Sequence, residues 1–371
     1  MSIKVINGGL MTTVQDSGRY GMQAGGMQVS GVMDYPAALL ANLLVGNEAD
    51  ARNAPFSASM PAVLESTYAG PELEFEQDVL VAVTGGMPEI QIDGVKAAPY
   101  RALVVHKGQK MKVCGQKHGM RAYIAIAGGI DVPKVLGSRS TNLKLKLGGC
   151  QGRKLMAGDI LPIGAAQDYA QRALHGQAFL RQADEAYAQA QRMWIYLEHN
   201  PMTVHVVPGP QEEYFSQEAL AKFSQAVYTI SNESDRMGCR LSGPPVEKIL
   251  QQDLITDGIV FGSIQIPPNG QPIIMLADHQ TTGGYPKLAT VATVDLPLLA
   301  QAMPGTQMKF QFIAVQAAQK KLVEWAKAWQ RMAEEIRQTG EVHQRVYSGK
   351  AKRYQLRING QGYDVVVEPA D

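Results

Sequence analysis

Residues 272–287 read Pro272-Ile273-Ile274-Met275-Leu276-Ala277-Asp278-His279-Gln280-Thr281-Thr282-Gly283-Gly284-Tyr285-Pro286-Lys287. The apolar run is short and bounded by proline and glycine, which predicts a buried strand. At its end the chain gathers a carboxylate, an imidazole, an amide and two hydroxyls. A glycine pair, a phenol and an ammonium follow. Polar groups at the end of a rigid strand can bind a small polar substrate without deforming. Two glycines let the backbone approach a ligand and turn amide N–H groups outward. This makes Asp278, Gln280, Thr281, Thr282, Gly283, Gly284, Tyr285 and Lys287 candidates for a site. The competing reading is a solvated hairpin loop, which needs no such variety of polar groups.

Working outward, residues 203–315 read as further strands at 204–207, 226–230, 259–266 and 307–313. Upstream, residues 1–165 are also β-rich. Short apolar runs such as Val79-Leu80-Val81-Ala82-Val83 alternate with turn signals, and Asp93-Gly94 is a hairpin turn. One helix is predicted near Tyr35–Leu44. Residues 166–202 change character to Ala, Gln and Arg with helical spacing and read as a helical connector, broken at Gly176 and ended by Asn200-Pro201. From about Val315 to Arg337, Leu322, Trp325, Trp329, Met332 and Ile336 form one apolar stripe of a helix, with the tryptophans as packing residues. Residues 354–368 alternate around Asn359-Gly360 as a hairpin. The expected chain is mostly β: a β-barrel-like region over 1–165, the connector, a second barrel-like region over 203–315, and a helix plus hairpin tail over 316–371.

The chain has 371 residues and a net charge of +1, from 35 basic and 34 acidic residues. No basic block stands out, which argues against nucleic acid as a partner. No run approaches the roughly 18 apolar residues of a membrane span. Three separated cysteines, Cys114, Cys150 and Cys239, give neither a disulfide framework nor a metal motif. No metal site is expected, and a reducing cytoplasm fits this usage. No Walker A, GxGxxG, HExxH or GxSxG pattern occurs.

A second polar segment, Ser231-Asn232-Glu233-Ser234-Asp235-Arg236-Met237-Gly238-Cys239-Arg240, follows a predicted strand. Arginine offers a fork for a carboxylate, so Arg236 is a candidate catalytic group beside Asp278. An Arg–Asp lock between loops, such as Arg236 with Asp235 or Asp278, is the structural alternative. Gln265 joins the substrate-binding candidates. In the amino-terminal region Gln15, Asp16, Arg19, Ser138 and Arg139 are secondary candidates, with buried hydrogen-bonded turns as their alternative.

These blocks, with Thr12–Gly21, Ser30-Gly31-Val32-Met33-Asp34, Ala127–Pro133, Leu136–Thr141 and Gly148–Arg153, resemble the biotin-dependent carboxyltransferase family, also called allophanate hydrolase subunit 2. The resemblance covers roughly residues 3–163 and 204–314. It implies two cyclophilin-like β-barrel domains, and it implies substrate contact for Asn232, whose amide both donates and accepts. It implies one of three roles. The first is a subunit of an ATP-dependent 5-oxoprolinase, with ATP used at the level of the complex. The second is a carboxyltransferase component that moves carboxylate from carboxybiotin to a urea- or amide-like substrate. The third is a Kip-antagonist-like regulator of a kinase inhibitor. Each implies a subunit-1-like (Kip inhibitor-like) partner, and the first admits a third, lactam-utilisation subunit. The tail hairpin resembles the start of a biotinyl carrier domain. The lysine between methionines that accepts biotin is missing, so no covalent biotin is expected on this chain, and Lys110-Met111-Lys112-Val113 reads as an ordinary strand.

Overall fold

The apolar run at residues 79–83 lies in a sheet buried on both faces, which explains why it does not alternate. A computed structural model describes residues 1–47, 60–197, 200–250, 254–340, 352–358 and 361–367. Five strands form the doubly buried sheet, in the order Met11–Gln15, Val63–Thr67, Arg121–Ile126, Val79–Gly85 and Leu103–Val105. A six-stranded sheet faces it, ordered Ile160–Pro162, Ser2–Asn7, Glu72–Phe75, Lys110–Gln116, Pro88–Ile92 and Val95–Ala97. Between them lies an apolar layer that includes Ile3, Leu73, Phe75, Val81, Ile124 and Ile126. The strand holding Lys110-Met111-Lys112-Val113 alternates exposed and buried positions, with its lysines outward. Asp93 and Gly94 both have positive φ, 48° and 81°, and join Ile92 to Val95 as a tight hairpin.

Helix α1, Tyr35–Leu44, starts at Asp34, whose carboxylate accepts the Ala37 N–H at 3.1 Å, and has Pro36 in its first turn. It packs on the outer face of the five-stranded sheet. The connector holds α2, Asp168–Leu174, and α3, Asp184–Leu197. A second apolar cluster joins α1 and α2 to Trp329, Ala333 and Ile336 of the last helix, Val315–Gly340. The carboxy-terminal helix thus returns to the amino-terminal region, and Trp325 and Trp329 stack at 6.1 Å as packing residues.

The strands after the connector close into a barrel. Its order is Met202–Pro208, Lys287–Val291, Ser263–Gln265, Ile273–Met275, Gly238–Ser242, Tyr228–Ile230 and Gln307–Phe312. Parallel pairing of Met202–Val206 with Met308–Phe312 closes the ring. The mostly β architecture, a barrel, the helical connector and the helical tail all follow the sequence expectation. The amino-terminal strands form two facing sheets, and the closed ring belongs to the later strands.

Two short helices of this part were not expected from the sequence. One is α4, Gln217–Gln225, capped by Ser216 Oγ on the Ala219 N–H. Its Phe223 is buried and stacks on Phe310 at 4.5 Å. The other is α5, Leu296–Gln301. The long final helix is then α6. Strands Lys352–Ile358 and Gln361–Val367 pair as the predicted hairpin, while Asn359-Gly360 and residue 368 lie outside the described residues. Among the described residues no helix is long and apolar enough to cross a membrane, no group of acidic, His or Cys side chains could hold a metal, and all three cysteines are free.

Candidate functional site

The amino-terminal sheets and the barrel meet through charge rather than apolar contact alone. Glu65 lies mid-strand in the five-stranded sheet and is 2% exposed. One carboxylate oxygen accepts the Met33 N–H at 2.8 Å, and the other takes Nη1 of Arg236 from the barrel. Nε and Nη2 of Arg236 donate to the two oxygens of Asp278 at 2.8 and 3.2 Å, and Nη2 also donates to the Gly31 carbonyl at 2.6 Å. Gly31 has φ of 91°, and a Cβ there would sit 2.9 Å from the Ser17 carbonyl, so only glycine fits this bend. Burial weighs against the Arg236 charge. The carboxylates of Asp278 and Glu65 more than offset it and hold its pKa above the ordinary arginine value.

A second layer of contacts supports this one. Arg121 sits 3.8 Å from Glu65 and donates through Nη1 to the Ala300 carbonyl of α5. Gln301 accepts the Arg121 N–H at 2.9 Å and donates to Asp34 at 2.8 Å. Tyr123 Oη accepts the Asp34 N–H at 2.8 Å. Burial pushes the Asp34 carboxyl up to about 6, and pushes the Tyr123 phenol well above its usual range. The backbone joins directly as well, with the Ser30 N–H donating to the Ala277 carbonyl at 3.1 Å.

Above this seam opens a cleft of about 560 Å³. Tyr68, Arg121 and Lys144 line it from one side, and Asn232, Arg236 and Asp278 from the other. Three sequence candidates from two segments, 42 residues apart at Arg236 and Asp278, therefore share one opening. Nε of Arg121 is buried, makes no hydrogen bond, and is the atom that faces Glu65 at 3.8 Å. Arg236 spends its guanidinium on protein acceptors, so its fork is a lock that orients Asp278 rather than a free clamp for a substrate carboxylate. That is the structural alternative stated for the pair, realised with Asp278 instead of Asp235.

A neighbouring groove of about 440 Å³ lies on the other side of the 231–240 turn and shares Asp235 and Met237 with the cleft. Gln265, Gln280, Tyr285 and Arg240 line it. Gln280 Oε1 is buried there and unpartnered.

The remaining candidates from the 281–287 loop line neither opening. Thr282-Gly283 pairs with Asp257-Gly258, and the Ile259 N–H donates to the Thr281 carbonyl at 3.0 Å. Neither Gly283 nor Gly284 has positive φ. Gly283 is small because a Cβ would meet Ile259 at 2.7 Å and Gln265 at 2.9 Å. Gly283 therefore admits a neighbouring segment, while a Cβ at Gly284 would meet only the Leu254 carbonyl, at 3.8 Å. Lys287 is 4% exposed and donates its ammonium to Asp257 and, at 2.6 Å, to the Gly258 carbonyl, tying that segment down. His279 is buried, with Nδ1 2.6 Å from the Gln280 carbonyl, and burial lowers its pKa below the usual imidazole value.

In the amino-terminal region, Asp16 gathers the secondary candidates. Its carboxylate accepts from Ser138 Oγ at 2.6 Å, Ser140 Oγ at 2.5 Å, and the N–H groups of Gly18 and Arg139 at 2.9 and 2.6 Å. Gln15 donates to Thr13 and to the Thr141 carbonyl, each at 3.0 Å. These are the buried turns of the structural alternative.

Residues 25–312 match the family described as the carboxyltransferase domain, subdomain A and B. The chain belongs to this carboxyltransferase-domain family. It is 37% identical to the 5-oxoprolinase C subunit of Escherichia coli over 318 residues, covering 86% of this chain and 93% of that protein. Against the protein of the same name from Haemophilus influenzae the identity is 35%, with 83% and 90% covered. The urea amidolyase of Lachancea kluyveri is 30% identical over 86% of this chain and 17% of its own length. Among solved structures, the urea amidolyase of K. lactis superposes with a TM-score of 0.77 at 27% identity, over 89% of this chain and 20% of that one. The urea carboxylase of Kluyveromyces lactis gives a TM-score of 0.74 at 25% identity, over 100% of this chain and 32% of that one. The chain thus spans about a fifth to a third of these two large proteins.

Glu65, Arg121, Asp34, Tyr123 and Gln301 were missed by the sequence reading. The available signal was Glu65, a carboxylate in the Val63-Leu64-Glu65-Ser66-Thr67 strand whose neighbours are buried on both faces.

Proposed function

We propose that this carboxyltransferase-domain chain is a subunit of an ATP-dependent 5-oxoprolinase, which opens the lactam of 5-oxoproline to glutamate in a complex with a subunit-1-like partner. The observation that carries this reading is the two-way coverage of the match to the 5-oxoprolinase C subunit of Escherichia coli, 86% of this chain and 93% of that protein. The yeast urea amidolyase shares only a small part of its length.

The cleft geometry supports the same reading. A lactam presents a carbonyl oxygen and an N–H side by side. Asn232 offers an amide that can donate to one and accept from the other. Asp278, oriented by the Arg236 fork, offers a carboxylate to the ring nitrogen. The sequence carries no Walker A pattern, so ATP is assigned to the complex and the cleft to the amide. A complex of this kind works in the cytoplasm. The likeness to urea amidolyase favours a second reading, carboxyl transfer to a urea- or amide-like nitrogen, which would use the same groups.

The test is ATP- and 5-oxoproline-dependent glutamate formation by the chain alone, by the chain with its partner, and by the full set of subunits. Turnover only in the assembled complex supports the reading. Turnover by the chain alone removes the shared-complex part of it, and carboxylation of urea without glutamate formation moves the assignment to the second reading.

A further inference from the structure

The amino-terminal region carries a separate polar pocket of about 470 Å³, lined by Arg19, Tyr20, Lys134, Arg139 and the Gly128-Gly129 backbone. Arg19 is 1% exposed. Its Nη2 donates to the Ser140 carbonyl at 2.6 Å and its Nε reaches the Val135 carbonyl at 3.5 Å, but Nη1 has no partner. A buried cationic N–H left without an acceptor is costly, and native structures seldom leave one without reason.

The nearby carboxylates cannot answer it. Asp16 already accepts two hydroxyls and two backbone N–H groups, Asp131 is taken by Arg139, and Asp278, whose charge also reaches Arg19, is held by Arg236. Lys134 is exposed and makes no ion pair among the described residues. Three cationic side chains against two spent carboxylates leave the pocket one positive charge in excess. A single water could meet Nη1, but it would leave both that excess and most of the volume unused.

We propose that this pocket binds a compact oxyanion, a carboxylate or phosphate group, held by the free Nη1–H of Arg19 and the ammonium of Lys134. Burial lowers the pKa of Arg19, and a bound anion would favour its charged form. The site is distinct from the interdomain cleft and does not depend on the reading of that cleft.

The test is isothermal titration of the full chain with sodium phosphate and, in a second arm, with malonate, each against sodium chloride at matched ionic strength. The expected result is saturable one-site binding of at least one of the two, absent with chloride. The arm that binds tighter names phosphate or carboxylate as the source. Lys134→Glu, a surface change, should weaken binding at least tenfold. Arg19→Gln should abolish it, with folding checked by circular dichroism; if that variant fails to fold, Lys134→Glu decides alone. Absence of saturable binding in both arms overturns the proposal. Binding that survives Lys134→Glu but is lost in Lys154→Glu also overturns it, because Lys154 lines the interdomain cleft.

Discussion

Replacing Arg236 with methionine tests the charged seam most severely. The change keeps most of the side-chain volume and removes the cation that faces two carboxylates. Glu65 is left 2% exposed with only Arg121, at 3.8 Å, to answer it, and Asp278 loses both of its guanidinium bonds. The Gly31 carbonyl also loses its donor. Removing one partner of a buried pair costs about 3–5 kcal/mol, because the remaining charge stays buried without compensation. At about 2 °C per kcal/mol, the low end suited to a large chain, the melting temperature should fall by roughly 6–10 °C. Replacing Glu65 by glutamine in the Arg236→Met background should recover part of the loss, since it removes one stranded charge. The assay is thermal unfolding followed by circular dichroism for the wild type, the single variant and the double variant. A fall of less than about 2 °C for Arg236→Met would refute the argument that this guanidinium holds the two regions together.

Asp34 gives a pH test. Burial raises its carboxyl from 3.8 to about 6, so the folded state prefers the protonated form. The stability this adds is complete below about pH 4 and is lost as pH rises through 6, a change of about 3 kcal/mol at 1.36 kcal/mol per unit. Asp34→Asn should therefore gain stability relative to wild type between pH 4 and pH 7, and parallel denaturation profiles for the two proteins across that range would contradict this. Covalent biotin is not expected either: after co-expression with a biotin ligase, a streptavidin blot should show no band at 40.2 kDa, and a band there would overturn the reading of the tail.

How much of this was legible in the sequence depended on how local the cause was. Helix α1 has its cap, its proline and its apolar face within eleven residues, and its limits match the expectation. The Asp93-Gly94 turn is equally local, and the stripe from Leu322 to Ile336 declared α6, though not that it packs against α1 and α2. Helix α4 escaped because it is only nine residues long and its anchor, Phe223, is fixed by a stack on Phe310 far along the chain.

The site divides the same way. Asn232, Arg236 and Asp278 stood out as polar groups crowded at strand ends. Glu65 and Arg121 did not, because their meaning lies in partners 171 and 179 residues away. The 281–287 loop shows the same limit. Its variety of polar groups invited a ligand, yet Lys287 and Gly283 serve a contact with Asp257–Ile259 that nothing nearby in the sequence announces.

The central claim is that the cleft between the amino-terminal sheets and the barrel holds the substrate, and that the neighbouring groove does not. Its most direct test is kcat/KM for 5-oxoproline in the assembled complex carrying either Asn232→Ala in the cleft or Arg240→Ala in the groove, with melting temperatures measured alongside. The account predicts a fall of about 100-fold or more for Asn232→Ala, about 2.7 kcal/mol of transition-state stabilisation, with the melting temperature nearly unchanged and Arg240→Ala close to wild type. A near-wild-type Asn232→Ala together with a crippled Arg240→Ala would contradict it and move the chemistry into the groove lined by Gln265, Gln280 and Tyr285.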